Sequence, residues 1–199
     1  MTLAKLAHFD LFYGGSWRPS ISGKRFESSN PFTQESWASV ADGNAEDISL
    51  AVKAARAALH GPWGAMGGEQ RSRLILRLAE IVERESARLA LLETQDNGKL
   101  LRDAESQVSM LPRWLRYFAG LADKTYGQAM PDVVARHFAY TALEPIGVVG
   151  AILPWNAPLV LMMHKLAPAL AAGCTFVAKP SEFTPASVLG FAQCVEEAE

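Results

Sequence analysis

The run Glu144-Pro145-Ile146-Gly147-Val148-Val149-Gly150-Ala151-Ile152-Leu153-Pro154-Trp155-Asn156-Ala157-Pro158 decides how the chain is read. Residues 146–153 are continuously apolar, the pattern of a parallel strand covered on both faces. Pro154-Trp155-Asn156 ends that strand. Pro158 suits the first turn of a helix that reaches about Ala172, bends at Pro168 and is capped by Gly173. Thr175-Phe176-Val177-Ala178-Lys179 is a second strand, and Thr184-Pro185 opens a further helix with Thr184 as its N-cap. Strand, helix, strand, helix over residues 146–199 is the start of a doubly wound, Rossmann-like parallel sheet, so the fold class is α/β. The same region needs a membrane test, because residues 145–163 carry no formal charge over 19 positions, about the length that spans a bilayer. Pro154, Asn156 and Pro158 near its centre would strand backbone groups in lipid, so a buried strand and helix is the better reading.

Upstream, a period of two governs residues 133–140. Val134, Arg136, Phe138 and Tyr140 alternate with Val133, Ala135, His137 and Ala139, and neither face is continuously apolar. That suits an edge strand, or one that pairs with another subunit. Helical periods precede it. Asn44 followed by Asp47 is an N-cap with an acidic first turn, opening a helix that carries Ile48, Ala51, Val52, Ala55 and Leu59. Gly61-Pro62 and Gly64 end it. One long helix is predicted from about Glu69 to Thr94, with Leu74, Ile75, Leu78, Ile81, Val82, Leu89 and Leu92 on one face. A third spans about Asp103 to Asp123, its main part started or kinked by Pro112. Earlier still, residues 11–18 read as a hairpin about Gly14-Gly15, and residues 25–28 and 36–41 as a second strand pair.

Composition narrows the function classes. The 199 residues are 49% hydrophobic and 20% charged, with a formal net charge of −2, too apolar for disorder. The near-neutral balance gives no electrostatic reason to expect nucleic acid or an anionic membrane as partner. Lys5, His8 and Asp10 interrupt the N-terminal apolar residues, so no secretory core forms. Cys174 and Cys194 cannot build a disulfide framework, which favours a reducing cytosol.

Open parallel sheets bind ligands at the carboxyl ends of their strands. Two clusters lie there: Ile152-Leu153-Pro154-Trp155-Asn156 and Lys179-Pro180-Ser181-Glu182. Glu182, 26 positions after Asn156, could accept from nucleotide ribose hydroxyls, and Lys179 adds a cation beside it. Both clusters have plainer readings. Lys179-Pro180-Ser181-Glu182 could be an ordinary strand-to-helix loop, and Asn156 could cap the helix that follows. The first strand–helix turn lacks Gly-x-Gly-x-x-Gly, so a standard Rossmann pyrophosphate site is not supported.

Taken in order, these segments resemble the N-terminal part of the aldehyde dehydrogenase superfamily. The resemblance rests on Glu144-Pro145-Ile146-Gly147-Val148, Pro154-Trp155-Asn156, Lys165-Leu166-Ala167-Pro168-Ala169-Leu170-Ala171-Ala172-Gly173-Cys174 and Lys179-Pro180-Ser181-Glu182 with Thr184-Pro185. Glu93-Thr94-Gln95-Asp96-Asn97-Gly98-Lys99, Arg116-Tyr117-Phe118-Ala119-Gly120, Asn30-Pro31 and the stretch from Ala51 to Ala58 extend it from about residue 12 onward.

The resemblance implies a truncated aldehyde dehydrogenase fold. Residues 1–132 would be N-terminal strands and helices of the cofactor-binding domain, 133–144 an oligomerisation-type strand, and 145–199 the first, incomplete βαβα of the NAD-binding domain. Asn156 would be the oxyanion-hole amide. Lys179 and Glu182 would hold the adenosine ribose of NAD, with NADP as the second candidate. Ile152, Leu153, Pro154, Trp155 and Ser181 would complete the nucleotide site. Lys165 would be a buried lysine serving packing, ion pairing or a proton relay.

The family's reaction needs a thiolate nucleophile and a carboxylate base. Both belong to later segments; Cys174 and Cys194 match neither role, so the chain alone should be inactive. The implied partner is a small-molecule aldehyde, with no nucleic acid or membrane, and the full-length form would be a homodimer or homotetramer. Two alternatives stand beside this reading: a non-catalytic nucleotide-binding or assembly fragment, and part of an aldehyde dehydrogenase that acylates coenzyme A.

Overall fold

A computed structural model describes residues 6–131 and 136–198. The N-terminal strands are β1 (Ala7–Phe9), β2 (Leu11–Tyr13), β3 (Ser16–Arg18), β4 (Arg25–Ser29) and β5 (Ser36–Ala41). β2 and β3 form the predicted hairpin, with Gly14 and Gly15 at φ 61° and 68°, the left-handed pair that a two-residue turn requires. β4 and β5 pair antiparallel as expected, and β1, which the sequence reading missed, adds to β5 in parallel. Helix α1 (Ala45–Leu59) carries a capping box: Asn44 Oδ1 accepts from Glu46 and Asp47, and Asp47 Oδ2 accepts the Asn44 N–H. A short α2 (Pro62–Ala65) follows where the sequence suggested only a stop.

Two predicted helices are each divided. The first is α3 (Gly68–Arg84) and α4 (Ser86–Asn97), separated at Glu85. Neither Gly nor Pro marks this break. Both pieces pack on α8 (Ala186–Ala198), but their other partners differ: α3 packs on α6 (Leu111–Ala119) and α7 (Pro158–Ala171), while α4 packs on α5 (Leu101–Val108). The second split falls between α5 and α6, where Pro112 stands in the first turn of α6 and cannot donate backward.

Residues 133–135 of the predicted 133–144 strand lie outside the described residues. The described remainder is not a continuous strand. Arg136 takes φ 68°, and only β7 (Ala139–Tyr140) pairs, antiparallel with β6 (Ala129–Met130). A left-handed residue turns the backbone out of the extended pleat, which ends the alternation seen in the sequence.

The segment that opened the reading forms β8 (Val148–Ile152), α7, β9 (Thr175–Lys179) and α8 (Ala186–Ala198). β8 and β9 pair in parallel from Val148↔Thr175 to Ile152↔Lys179. Ala151, Leu153, Phe176 and Ala178 join the main core with α3 to α8. The expectation of a strand covered on both faces does not hold. Gly150 and Ile152 are exposed, Ile152 to 82%. Helix α1 lies across the other face of the pair without covering its carboxyl end. Pro168 sits inside α7 without ending it. That helix closes at Ala172 rather than Gly173. Gly173, at φ 86°, is the residue beyond the cap, donating to Leu170 O while Cys174 N–H reaches Ala169 O.

Candidate functional site

The register of β8 on β9 puts Ile152 beside Lys179 on one sheet face, and Leu153 N–H donates to Lys179 O at 3.0 Å. On that face Gly150 has no atom within 4 Å of where a Cβ would stand. The result is an open apolar shelf bordered by a cation. Lys179 Nζ lies 3.4 Å from Glu182 Oε2, with both side chains more than half exposed. The backbone N–H of Glu182 itself, then Lys179, holds this carboxyl below its ordinary value, so it stays an acceptor at neutral pH.

Not every predicted residue presents its side chain. Pro154 and Trp155 are exposed, whereas Leu153 is buried in the core and offers the loop only its backbone. Ser181 is buried, and its Oγ accepts the Phe183 N–H at 3.3 Å. It shapes the turn. Trp155 and Phe183 line a depression of about 430 Å³ with Ser29, Pro31, Asp96, Asn97 and Thr184. Lys165 is exposed rather than buried, and its Nζ bonds back to Leu161 O at 3.0 Å. One helical turn separates those positions, so the long side chain folds along its own helix and needs no acidic partner.

Asn156 sits exposed between the end of β8 and the start of α7. It does not cap the helix: the N-cap is Ala157, and α7 has no side-chain cap of its own. Among the described residues no bond takes the Asn156 side-chain amide, whose two N–H donors remain free for a ligand oxygen.

The backbone around it is held by residues whose role the sequence reading did not assign. Glu93, fully buried on α4, accepts the Leu159 N–H through Oε2 at 3.4 Å, while Lys99 Nζ lies 2.6 Å from Oε1. Asn97 Nδ2 donates to Asn156 O at 3.4 Å. Three residues along α4 from Glu93, Asp96 Oδ2 accepts the Ala186 N–H at 2.6 Å, and Oδ1 accepts from Ser28 Oγ at 2.7 Å. Asp96 thus caps α8, the role expected of Thr184, whose buried hydroxyl has no partner among the described residues. Burial pushes the Asp96 carboxyl up to about 6. Both acids lie in the polar run Glu93-Thr94-Gln95-Asp96-Asn97, which reads as a solvated helix end, so composition did not mark them as buried.

Both helix N-termini that follow the strands are therefore already met by carboxylates. A phosphate would face like charge at either, which agrees with the missing glycine-rich turn. A ribose suits the shelf better: carboxylate acceptor, ammonium donor and an apolar floor fit a sugar and its base.

Comparison with known proteins gives a consistent result. A sequence profile described as the aldehyde dehydrogenase family matches residues 17–199. Aldehyde dehydrogenase 1A1 of Homo sapiens is 41% identical over 201 residues, covering 100% of this chain and 40% of that protein. Aldehyde dehydrogenase 1 of Tanacetum cinerariifolium is 48% identical over 177 residues, covering 88% of this chain and 35% of that protein. Among solved structures, an NAD+ complex of aldehyde dehydrogenase from Bacillus cereus superposes with a TM-score of 0.93 at 43% identity, covering 96% of this chain and 39% of that one. An NAD-dependent aldehyde dehydrogenase from Sinorhizobium meliloti gives a TM-score of 0.94 at 31% identity, covering 98% of this chain and 39% of that one. The chain spans about 40% of the length of the first human relative.

Proposed function

The chain belongs to the aldehyde dehydrogenase family, and from that premise we propose that it supplies part of an enzyme that oxidises an aldehyde to a carboxylic acid with NAD as acceptor. The observation that carries the reading is the uncommitted amide of Asn156 at the end of β8, in the same strand-end region as the exposed Lys179–Glu182 pair. Asn156 would donate to the aldehyde oxygen as negative charge grows there, a task for a preorganised donor. Glu182 would accept from the ribose hydroxyls, with Lys179 donating beside it. Ile152, Pro154 and Trp155 would give the apolar surface, Leu153 its backbone, and Ser181 the shape of the loop.

Bound NAD would accept the hydride that leaves the substrate carbon. The Bacillus cereus neighbour solved with NAD+ supports this cofactor. The Glu182 charge disfavours the 2′-phosphate of NADP, since like charges would meet. We assign the nucleophilic thiolate and the general base to segments outside residues 1–199. Cys174 is buried just before β9, and burial pushes the Cys194 thiol up to about 11, so neither is disposed to attack. A homodimer or homotetramer in the cytosol remains part of the proposal.

The test is NADH formation from an aldehyde by the full-length protein that carries this chain. Asn156→Ala should lower kcat ~100- to 1000-fold, and Glu182→Gln should raise the use of NADP relative to NAD. An undiminished kcat in Asn156→Ala would overturn the assignment. Residues 1–199 alone should form no NADH. Activity there that a Cys174→Ala, Cys194→Ala double variant loses would refute the placement of the nucleophile elsewhere.

A further inference from the structure

Helix α7 starts two residues after Asn156 with no means of capping itself. Ala157 at the N-cap has no side-chain acceptor, and Pro158 has no N–H. Its first free N–H, on Leu159, is taken by Glu93 of α4. The buried Glu93 is held in turn by Lys99, whose Nζ also reaches Gln107 Oε1 on α5 at 2.6 Å. A carboxylate at this position also lies favourably along the helix dipole.

A second tether comes from the same stretch. The Asn97 side chain bridges two backbones, its Oδ1 accepting the Lys99 N–H at 3.0 Å and its Nδ2 donating to the carbonyl of Asn156 itself. The peptide leaving Asn156 and the N–H three residues beyond it are thus both fixed to residues 93–99, while among the described residues nothing bonds the Asn156 side chain. An exposed strand-to-helix loop would otherwise be free to swing, and an oxyanion donor works only when it is aimed before charge develops.

We propose that Asn97 and the Glu93–Lys99 pair are positioning residues for Asn156, setting the direction in which its amide donates. The proposal rests on the reading of Asn156 as the oxyanion donor. None of the three touches the reacting atoms: Asn97 acts through the Asn156 carbonyl, and Glu93, held by Lys99, through the Leu159 N–H three residues on.

A double-mutant cycle in the full-length enzyme tests it. Asn97→Asp keeps the acceptor for the Lys99 N–H but turns an oxygen toward the Asn156 carbonyl, and Asn97→Ala removes both bonds. Each should lower kcat about ten- to a hundredfold, with the KM for NAD unchanged and the thermal midpoint of Asn97→Asp close to that of the parent. In an Asn156→Ala background the Asn97 substitutions should lower kcat no further. Losses that multiply across the two sites, or an unchanged kcat in Asn97→Asp, would overturn the positioning role while leaving Asn156 as donor. An Asn156→Ala enzyme with full kcat would remove the oxyanion reading, and the positioning role with it. As a second probe, Glu93→Gln with Lys99→Met keeps an acceptor for the Leu159 N–H and leaves no orphan ammonium. It should retain more kcat than Glu93→Ala at matched folded fraction, and equal losses in the two would count against the Glu93 tether.

Discussion

Asp96 is a carboxylate almost removed from water, with the Ser28 hydroxyl and the backbone N–H groups of Ala186 and Ser187 as donors. Burial outweighs those bonds and raises its pKa to about 6, above the value of an unfolded chain. The sign follows from linkage. The folded state holds this proton more tightly, so the contribution is fully present below about pH 4 and lost as pH rises through about 6. Unfolding free energies measured from pH 4 to 7 should therefore fall by about 2–3 kcal/mol from this group. Asp96→Asn should lack that part of the slope. Asp96→Ala should cost about 2–3 kcal/mol at pH 5 by urea denaturation, because it orphans buried donors. The sequence shows Asp96 inside a stretch that resembles a family, and nothing in that stretch states its task. Its partners are 68 and 90 positions away along the chain, beyond the reach of any local pattern.

Elements stabilised by their own neighbours were legible. The Gly14-Gly15 hairpin, the Asn44–Asp47 capping box and the α7–β9 connection each depend on contacts within a few residues. The break at Glu85 was not, because α3 and α4 continue one apolar face in sequence and share α8, and differ only in that α3 also meets α6 and α7 while α4 meets α5. At the α7–β9 connection Gly173 combines φ 86° with a tight fit: an added Cβ would stand 2.9 Å from Pro145 Cγ. Gly23 has a similar φ of 67° and open space around it. Gly23→Ala should thus cost only the left-handed strain, about 1–2 kcal/mol. Gly173→Ala should cost clearly more, and thermal melts of the two variants side by side measure the clash. Equal losses would mean that Pro145 yields freely.

Across the molecule, α4 joins parts that the chain order separates. Asp96 links the β1–β5–β4 sheet to α8, and Glu93 with Lys99 links α4 to α5 and α7. Lys99→Met should therefore destabilise the protein by about 3–5 kcal/mol, since it leaves a fully buried carboxylate without its cation. Adding Glu93→Gln should recover part of that loss in chemical denaturation; no recovery would show that Lys99 acts through packing alone.

The α/β class, the alternation of strand and helix after residue 145, and the places of Asn156, Lys179 and Glu182 at the two strand ends were readable from the chain alone. Those features follow from local periodicity and from residue types adjacent in the chain. The tertiary structure alone decided which acids cap α7 and α8, where the long helices divide, and that the Ile152 face of β8 stays open. Each of these depends on desolvation and hydrogen bonding between segments brought together only by folding, where a buried carboxylate is tolerated because distant N–H groups and a lysine ammonium surround it.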